Sequence, residues 1–352
     1  MEACSWIFWL GTVFATAWVS AGLDPFKGCT EMKLLVAYDG SACSEAALDD
    51  LLKAGLPQAS EAHVISVAEI WFVLGSNSSI APANPESGLP FTLAGKQGLE
   101  RDNTVTAEAE ILANHARQRI RLMFPDWPTI AEGVKGSPAS AILERAAAID
   151  PDLIVVGSHG SSAINRFFLG SISQKILTEA RCCVRVARGR IKDAQTPTRL
   201  IVGFDGSSGA RKAVSVIASR SWPASTEIRV VVATGEMTPP GIGRFVPPTE
   251  CKAAAITKSD RDSIERLAAQ ALTSLQAKNV LASLHVHPGN PKEVIVEEAR
   301  RWNADCIFLG SSSFGREADY SPLGSTSAAI AARATCSVEV VRDDRRLFTR
   351  MR

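Results

Sequence analysis

The sequence contains an internal duplication, and this feature constrains the fold more than any other. Three blocks of the first half recur in the second half in the same order, which indicates a duplicated domain. The aligned pairs are KLLVAYDGSACSEAALDDL (33–51) with RLIVGFDGSSGARKAVSVI (199–217), GSPASAILERAAAIDPDLIVVGSHG (136–160) with GNPKEVIVEEARRWNADCIFLGSSS (289–313), and LGSISQKILTEARCCVRVAR (169–188) with LGSTSAAIAARATCSVEVVR (323–342).

Each half alternates short apolar runs with helix-like runs. Continuous apolar runs are typical of parallel strands covered on both faces, and their alternation with helices predicts a doubly wound α/β sheet. The predicted strands are 33–38, 62–68, 129–134, 152–157 and 183–188 in the first half, and 199–204, 226–233, 281–286, 305–309 and 337–342 in the second. The predicted helices of the first half are 42–54, 104–122, 138–149 and 171–181, and long irregular segments are expected at 70–103 and 235–256.

The chain therefore divides into four parts: an apolar extension at 1–31, a first domain at 32–190, a second domain at 198–343 and a charged tail at 344–352. The extension is a signal peptide, a membrane anchor, or a stretch ahead of the true start at Met32. We favour the third reading, because no positive charge precedes the apolar run and Met32 adjoins the first strand. The expected location is the cytoplasm, with anchoring or export as the minority alternative.

Charge and cysteine content exclude several classes of function. The chain contains 38 Lys and Arg residues and 37 Asp and Glu residues. This near balance gives no indication that nucleic acid or an anionic membrane is a partner. The eight cysteines show no C-x-x-C pair and mostly lie in apolar runs, which indicates buried, reduced thiols. Neither G-x-x-x-x-G-K-[ST] nor G-x-G-x-x-G occurs, so the two common phosphate loops are excluded.

Two polar segments follow predicted strands of the first half. Ligands of open parallel sheets bind beyond the carboxyl ends of the strands, which here carry Asp39-Gly40-Ser41 and Gly157-Ser158-His159-Gly160. The glycines allow a close approach of the backbone. Gly170-Ser171 then opens a helix whose free N–H groups favour an anion. The same residues also suit an unliganded strand–turn–helix with a serine cap, and this alternative stays open.

A family resemblance rests on these residues. The spacing G-x₂-G-x₉-G-[ST] resembles the nucleotide signature of the universal stress protein family, and "VAYDGS", Gly136-x-Pro138 and "CCVRVAR" are similar to other segments of that family. The resemblance implies two tandem flavodoxin-like (adenine nucleotide α hydrolase-like) domains, each a five-stranded parallel sheet of order 3-2-1-4-5. It also implies pairing through the fifth strands, either as a pseudo-dimer within one chain or as a homodimer.

The resemblance further implies that ATP is the ligand. A carboxylate such as Asp39 can accept from a ribose hydroxyl or help to hold Mg²⁺ on the phosphates. Members with the glycine signature bind adenosine at the ends of strands 1 and 2 and phosphates at the loop and the helix start. Carried onto this sequence, the expected binding residues are Ala37, Tyr38, Asp39, Val67, Gly157, His159, Gly160, Gly170, Ser171, Ile172 and Ser173.

The second half departs from this signature. It keeps weaker counterparts, but Ser313 replaces the second glycine, and the loop is one residue longer and carries Glu317 and Asp319. Two carboxylates oppose a triphosphate unless a metal intervenes. We therefore expect the first half to bind ATP and the second to bind weakly or not at all. The second-half candidates are Asp205, Gly310, Gly324 and Ser325.

Several alternative functions remain. The chain could be a scaffold that binds no nucleotide, or an adenylating or ATP-hydrolysing enzyme of the same fold group. A receiver-like phosphoacceptor at Asp39 is disfavoured, because receiver domains need an acidic pair after strand 1 and a lysine after strand 5. The strand-1 tip here has one carboxylate, and no such lysine is evident. We expect at most slow hydrolysis, because no residue stands out as a general base, and the regulatory partner is open. His285 and His287 share one strand face, as in a metal pair, but the sequence shows no third ligand nearby, which favours a structural role.

Overall fold

A computed structural model describes residues 31–69, 92–159, 169–188, 196–223, 225–235, 258–276, 280–311 and 323–342. Gly160, Ser313, Glu317, Asp319 and most of the N-terminal extension therefore lie outside the described residues, together with the charged tail. The described part of the first half contains β1 (Met32–Ala37), α1 (Ala42–Asp50), a 3₁₀ turn (Leu51–Lys53), β2 (Ser60–Glu69), α2 (Thr92–Met123), β3 (Thr129–Gly136), α3 (Pro138–Ile149), β4 (Leu153–Gly157), α4 (Ser171–Glu179) and β5 (Cys183–Ala187).

The second half repeats this order of strands and helices. Within the described residues it contains β6 (Arg199–Gly203), α5 (Ser208–Ser219), β7 (Glu227–Ala233), α6 (Lys258–Gln276), β8 (Leu281–His287), α7 (Pro291–Trp302), β9 (Cys306–Gly310), α8 (Ser325–Arg333) and β10 (Ser337–Val341). The predicted doubly wound α/β class is confirmed.

All ten described strands join one sheet of order β3-β2-β1-β4-β5-β10-β9-β6-β7-β8. Each half has the expected 3-2-1-4-5 order, and every pairing inside a half is parallel. The two halves meet where β5 pairs antiparallel with β10. The fifth strands therefore pair within one chain in this structure, as in the pseudo-dimer alternative.

Two expectations about helices need correction. The second helix begins at Thr92 rather than 104, so 92–103 is helical, and 70–91 lies outside the described residues. The first helix does not run to 54, because it ends at Asp50 and Leu51–Lys53 form the 3₁₀ turn. Among the described residues, no helix combines the length and apolar character that a membrane crossing requires.

The core consists of one apolar layer on each face of the sheet. Leu34 and Val36 point to one face, where α1, α2, α5 and α6 pack, whereas Leu35 points to the other, where α3, α4, α7 and α8 pack. This division follows from the alternation of side chains along a strand. Because both faces are covered, the strand tips are the exposed ends of the sheet at which a ligand can reach the backbone.

Candidate functional site

The tips of β1 and β4 lie side by side. β1 pairs with β4 from Leu34 opposite Leu153 to Val36 opposite Val155, so the residues that follow each strand share one edge of the sheet. β2 pairs with β1 on its other side and brings Val67, which is half-buried, to the same edge. The structure thus gathers candidates that the sequence separates by more than a hundred residues.

The Asp39-Gly40-Ser41 tip forms a tight turn into α1. Gly40 has a φ of +73°, a conformation that glycine adopts without strain. Asp39 Oδ1 accepts from the Ser41 N–H at 3.0 Å, and Ser41 Oγ accepts from the Ser44 N–H at 3.2 Å. Ser41, and not Asp39, is therefore the N-cap of α1. The Asp39 side chain is exposed at the tip of β1.

Gly157 brings the end of β4 against the start of α1. A Cβ atom at this position would lie 3.0 Å from the Cys43 carbonyl carbon and 3.1 Å from the Ser44 nitrogen. The glycine is thus required for packing between backbone segments of the protein itself, whether or not a ligand approaches. Its carbonyl accepts from the Ser173 hydroxyl at 2.7 Å.

The start of α4 faces the same edge. The Gly170 N–H donates to the Ser158 carbonyl at 2.8 Å, and this contact fixes the helix start beside the tip of β4. Gly170 is the N-cap and supplies no side-chain acceptor to the first-turn N–H groups. Ser171 is exposed, whereas Ser173 is buried and its hydroxyl serves Gly157. Free N–H groups and the helix dipole give this end an affinity for anions.

His159 is buried at the tip of β4. Its Nδ1 lies 3.0 Å from Ser158 Oγ, and its Nε2 is buried without a hydrogen-bond partner among the described residues. Burial and, to a lesser degree, the Arg188 guanidinium lower the pKa of His159. The ring is therefore neutral at pH 7 and offers a hydrogen-bonding atom rather than a positive charge.

The Tyr38 side chain turns away from the strand tips. Its hydroxyl bonds to Glu45 and lies 3.0 Å from His115 Nδ1, while Arg119 pairs with Glu45. Burial and the Glu45 carboxylate raise the pKa of Tyr38 far above its ordinary value. A ligand at this edge would therefore meet the Tyr38 backbone and not its phenol.

The second half has the same framework in its described residues. Asp205 Oδ1 accepts from the Ser207 N–H at 3.0 Å, and the Gly324 N–H donates to the Ser311 carbonyl at 2.8 Å. Ser327 Oγ donates to the Gly310 carbonyl at 2.7 Å. The helix start at Gly324 again lacks a side-chain cap, and Ser325 is exposed. The second copy departs from the glycine signature at 312–322, which lies outside the described residues.

Sequence reasoning missed a residue near the histidine pair of β8. Glu298 on α7 completes a group with His285 and His287 whose ligand atoms all lie within 4.8 Å of one another. The expectation that no third ligand lies nearby was therefore wrong. No local sequence signal pointed to Glu298, which occupies the position of Arg145 in the first half.

The fold and the strand-tip geometry define a tandem pair of flavodoxin-like α/β domains with one candidate ligand edge in each. A profile of the Universal stress protein family matches residues 32–188 and again residues 197–342. The chain belongs to the universal stress protein family.

Individual relatives are similar in sequence and in fold. "Universal stress protein in QAH/OAS sulfhydrylase 3'region" of Thermus aquaticus is 35% identical over 156 residues, covering 44% of this chain and 97% of the relative. Universal stress protein Rv2005c of Mycobacterium tuberculosis is 30% identical over 159 residues, covering 44% of this chain and 45% of the relative. The crystal structure of a universal stress protein from Archaeoglobus fulgidus superposes with a TM-score of 0.59 at 19% identity, covering 89% of this chain and 98% of that one, which supports the fold.

Proposed function

We propose that this protein is an ATP-binding regulator of the stress response that holds its nucleotide in the first domain. The observation that carries the proposal is the meeting of three features at one sheet edge: the tip of β1 with Asp39, the tip of β4 with Gly157 to His159, and the side-chain-free start of α4. Ligand sites of open α/β sheets lie at this edge.

The phosphates would lie at the start of α4. First-turn N–H groups from Ser171 to Ser173 and the Ser171 hydroxyl are the donors in this proposal, with the helix dipole favouring negative charge. Gly160 would let the loop backbone approach the phosphates. The buried Nε2 of His159, which lacks a partner among the described residues, would supply one further contact.

The adenosine would lie between the tips of β1 and β2. Asp39 is exposed and would accept from a ribose hydroxyl, or help to hold Mg²⁺ on the phosphates. Ala37, Tyr38 and Val67 would contribute backbone contacts, which suits Tyr38 because its hydroxyl already bonds to Glu45. Ile172 would contribute its N–H group from the first turn of α4.

The second domain would bind ATP weakly or not at all. Its described framework matches the first, so the proposed asymmetry rests on the loop sequence, where Ser313 replaces a glycine and Glu317 and Asp319 add negative charge. Carboxylates beside a polyphosphate weaken its binding by Coulomb repulsion. Asp205, Gly310, Gly324 and Ser325 remain the candidates for any residual binding there.

Mass spectrometry of nucleotide co-purified with the full chain tests this proposal. ATP should accompany the parent protein and be lost from Gly160→Ser, which gives the first loop the serine of the second copy. Asp39→Ala should lower ATP occupancy, because a hydrogen bond to a charged group contributes about 1.5–3 kcal/mol. The matched change Asp205→Ala should leave occupancy unchanged, since Asp205 makes the same turn in the other copy. Absence of nucleotide from the parent, or equal losses in both aspartate variants, would overturn the proposal.

A further inference from the structure

The histidines of β8 and a glutamate of α7 lie close together at the outermost strand of the second half, away from the junction of the two halves. His285 and His287 are two residues apart on a strand and therefore share a face, and their ring centroids lie 6.2 Å apart with nearly parallel planes. Glu298 extends from α7 toward the same face, and His287 Nε2 lies 3.8 Å from Glu298 Oε2. The ligand atoms of the three side chains lie within 4.8 Å of one another.

The surrounding contacts orient these groups. Glu298 is buried, and its Oε1 accepts from Arg229 at 2.5 Å, which turns Oε2 toward His287. His287 Nε2 is buried and has no hydrogen-bond partner in the described part of the chain. His285 Nε2 lies 3.0 Å from Ser283 Oγ, so Nδ1 is the ring atom left to bind an ion. Hydrogen bonds of this kind orient metal-binding histidines and carboxylates in proteins.

We propose that His285, His287 and Glu298 form a binding site for a divalent transition-metal ion such as Zn²⁺. Two imidazoles and one carboxylate are a donor set that Zn²⁺ accepts with a fourth position left for water. Ligand atoms bonded to tetrahedral Zn²⁺ lie roughly 3.3 Å apart. The observed separations close to that value by small side-chain rotations, which the half-exposed His285 and His287 can make.

The first domain supplies an internal comparison. At the positions of His285, His287 and Glu298 it has Glu132, Val134 and Arg145. There Arg145 donates to Glu132 at 2.5 Å, so an ordinary ion pair occupies the place of the three ligand groups. All three positions differ between the copies, and only the second domain has a metal-binding side chain at each of them. A purely structural role would be served by the ion pair that the first domain keeps.

Arg229 sets the charge of the site. The Arg229 guanidinium stacks on Trp302, 4.1 Å from the centre of the ring, and this contact fixes its position. The same guanidinium bonds to one oxygen of Glu298 and so holds the carboxylate in place. The positive charge favours soft, strongly coordinating ions over hard ions such as Mg²⁺ or Ca²⁺, which depend on carboxylate charge. We therefore expect Zn²⁺ to bind and Mg²⁺ not to compete.

Competition between the metal-stripped full chain and a chromophoric chelator, with Zn²⁺ as the probe, tests this inference. The wild type should hold one Zn²⁺ ion that His285→Asn and His287→Asn each weaken by at least about tenfold. Both residues are half-exposed on β8, so neither change disturbs the core. His63→Asn is the matched control, because His63 also lies beside a carboxylate, with its Nε2 2.6 Å from Glu61 Oε1.

A second measurement identifies the ligands directly. Zn²⁺ should shift the ring-proton NMR signals of His285 and His287 and leave those of His63 unchanged, with or without ATP. Equal Zn²⁺ affinity in the wild type and in both β8 variants would overturn the proposal. So would an equal loss in His63→Asn, or signal shifts at His63 alone. Because the site belongs to the second domain, its failure and that of the ATP proposal would be seen separately.

Discussion

Arg185 of β5 and Glu339 of β10 lie directly opposite each other at the junction of the two halves. Both side chains are fully buried, and Arg185 Nη1 lies 3.0 Å from Glu339 Oε2. Asp50 pairs with Arg185 at 2.5 Å, and Arg220 binds both oxygens of Glu339. Burial disfavours the charge of Arg185, but the carboxylates, Asp50 foremost, outweigh it and hold its pKa well above the ordinary value.

Removal of one charge from this network should destabilise the whole chain. Glu339→Gln leaves Arg185 and Arg220 buried with only the Asp50 carboxylate, and breaking a buried pair costs about 3–5 kcal/mol. Urea-induced unfolding should show this loss in the free energy of unfolding. The double variant Arg185→Met/Glu339→Leu should lose less than the sum of its single variants, because it removes both members of the pair. Losses that add would contradict the coupling between Arg185 and Glu339. The control is Glu297→Gln, which removes an exposed carboxylate of α7 and should lower the free energy of unfolding far less.

The glycines that end β4 and β9 should differ in their tolerance of a side chain. A Cβ at Gly310 would lie 2.7 Å from the Ala210 nitrogen, whereas a Cβ at Gly157 would approach the Cys43 carbonyl carbon to 3.0 Å. Gly310→Ala should therefore lower the urea midpoint more, with a loss of at least about 1–3 kcal/mol from overpacking. A larger loss in Gly157→Ala would show that the contact with α1 is the tighter one.

Buried thiols should resist alkylation in the native protein. Burial, foremost among several effects, raises the pKa of Cys183 to about 11 and that of Cys336 to about 12. The reactive thiolate is then about a thousandth or less of each thiol at pH 8. Peptide mapping after iodoacetamide treatment should show modification at the half-exposed Cys43 and none at Cys183 or Cys336. In urea all three should react, and native labelling of Cys183 at the rate of Cys43 would contradict their burial.

Acid should destabilise the folded state through His159. Its pKa is lowered by burial and Arg188, so below the unfolded-state value near 6.5 the unfolded chain binds more protons. The free energy of unfolding therefore falls as pH drops from 7.5 to 5.5, by at most about 1.4 kcal/mol per pH unit for this group. His159→Gln should flatten part of this slope. His285 contributes in the same direction, because burial and Arg229 lower its pKa. A slope in His159→Gln that equals that of the wild type would contradict the role of His159 in this pH dependence.

The sheet was predictable because its strands are continuous apolar runs. The run predicted at 152–157 forms β4 at Leu153–Gly157, and the observed order of strands within each domain is the one that the family resemblance implied. The start of α2 was missed because the stretch from Thr92 is polar and contains two glycines, which read as a loop. Short-range propensity is a weak guide to where a helix begins.

The contacts between the halves and the position of Glu298 beside the β8 histidines could not be read from the sequence. Glu339 lies 154 residues from Arg185 and 119 from Arg220, and such pairs come together only when β5 and β10 align. Glu298 reaches the β8 histidines through the packing of α7 on the sheet, which no local pattern encodes. By contrast, the glycines and serines at the strand tips could be identified because topology alone brings strand ends together.

Isothermal titration of ATP into the full chain stripped of co-purified nucleotide tests the central claim most directly, with Gly170→Asp and Gly324→Asp as a matched pair. Each change adds a carboxylate at a side-chain-free helix start, in the first and second domain respectively. We predict about one ATP per chain, abolished by Gly170→Asp and retained by Gly324→Asp. Two equivalent tight sites, no binding by the wild type, or loss of binding in Gly324→Asp alone would contradict the account.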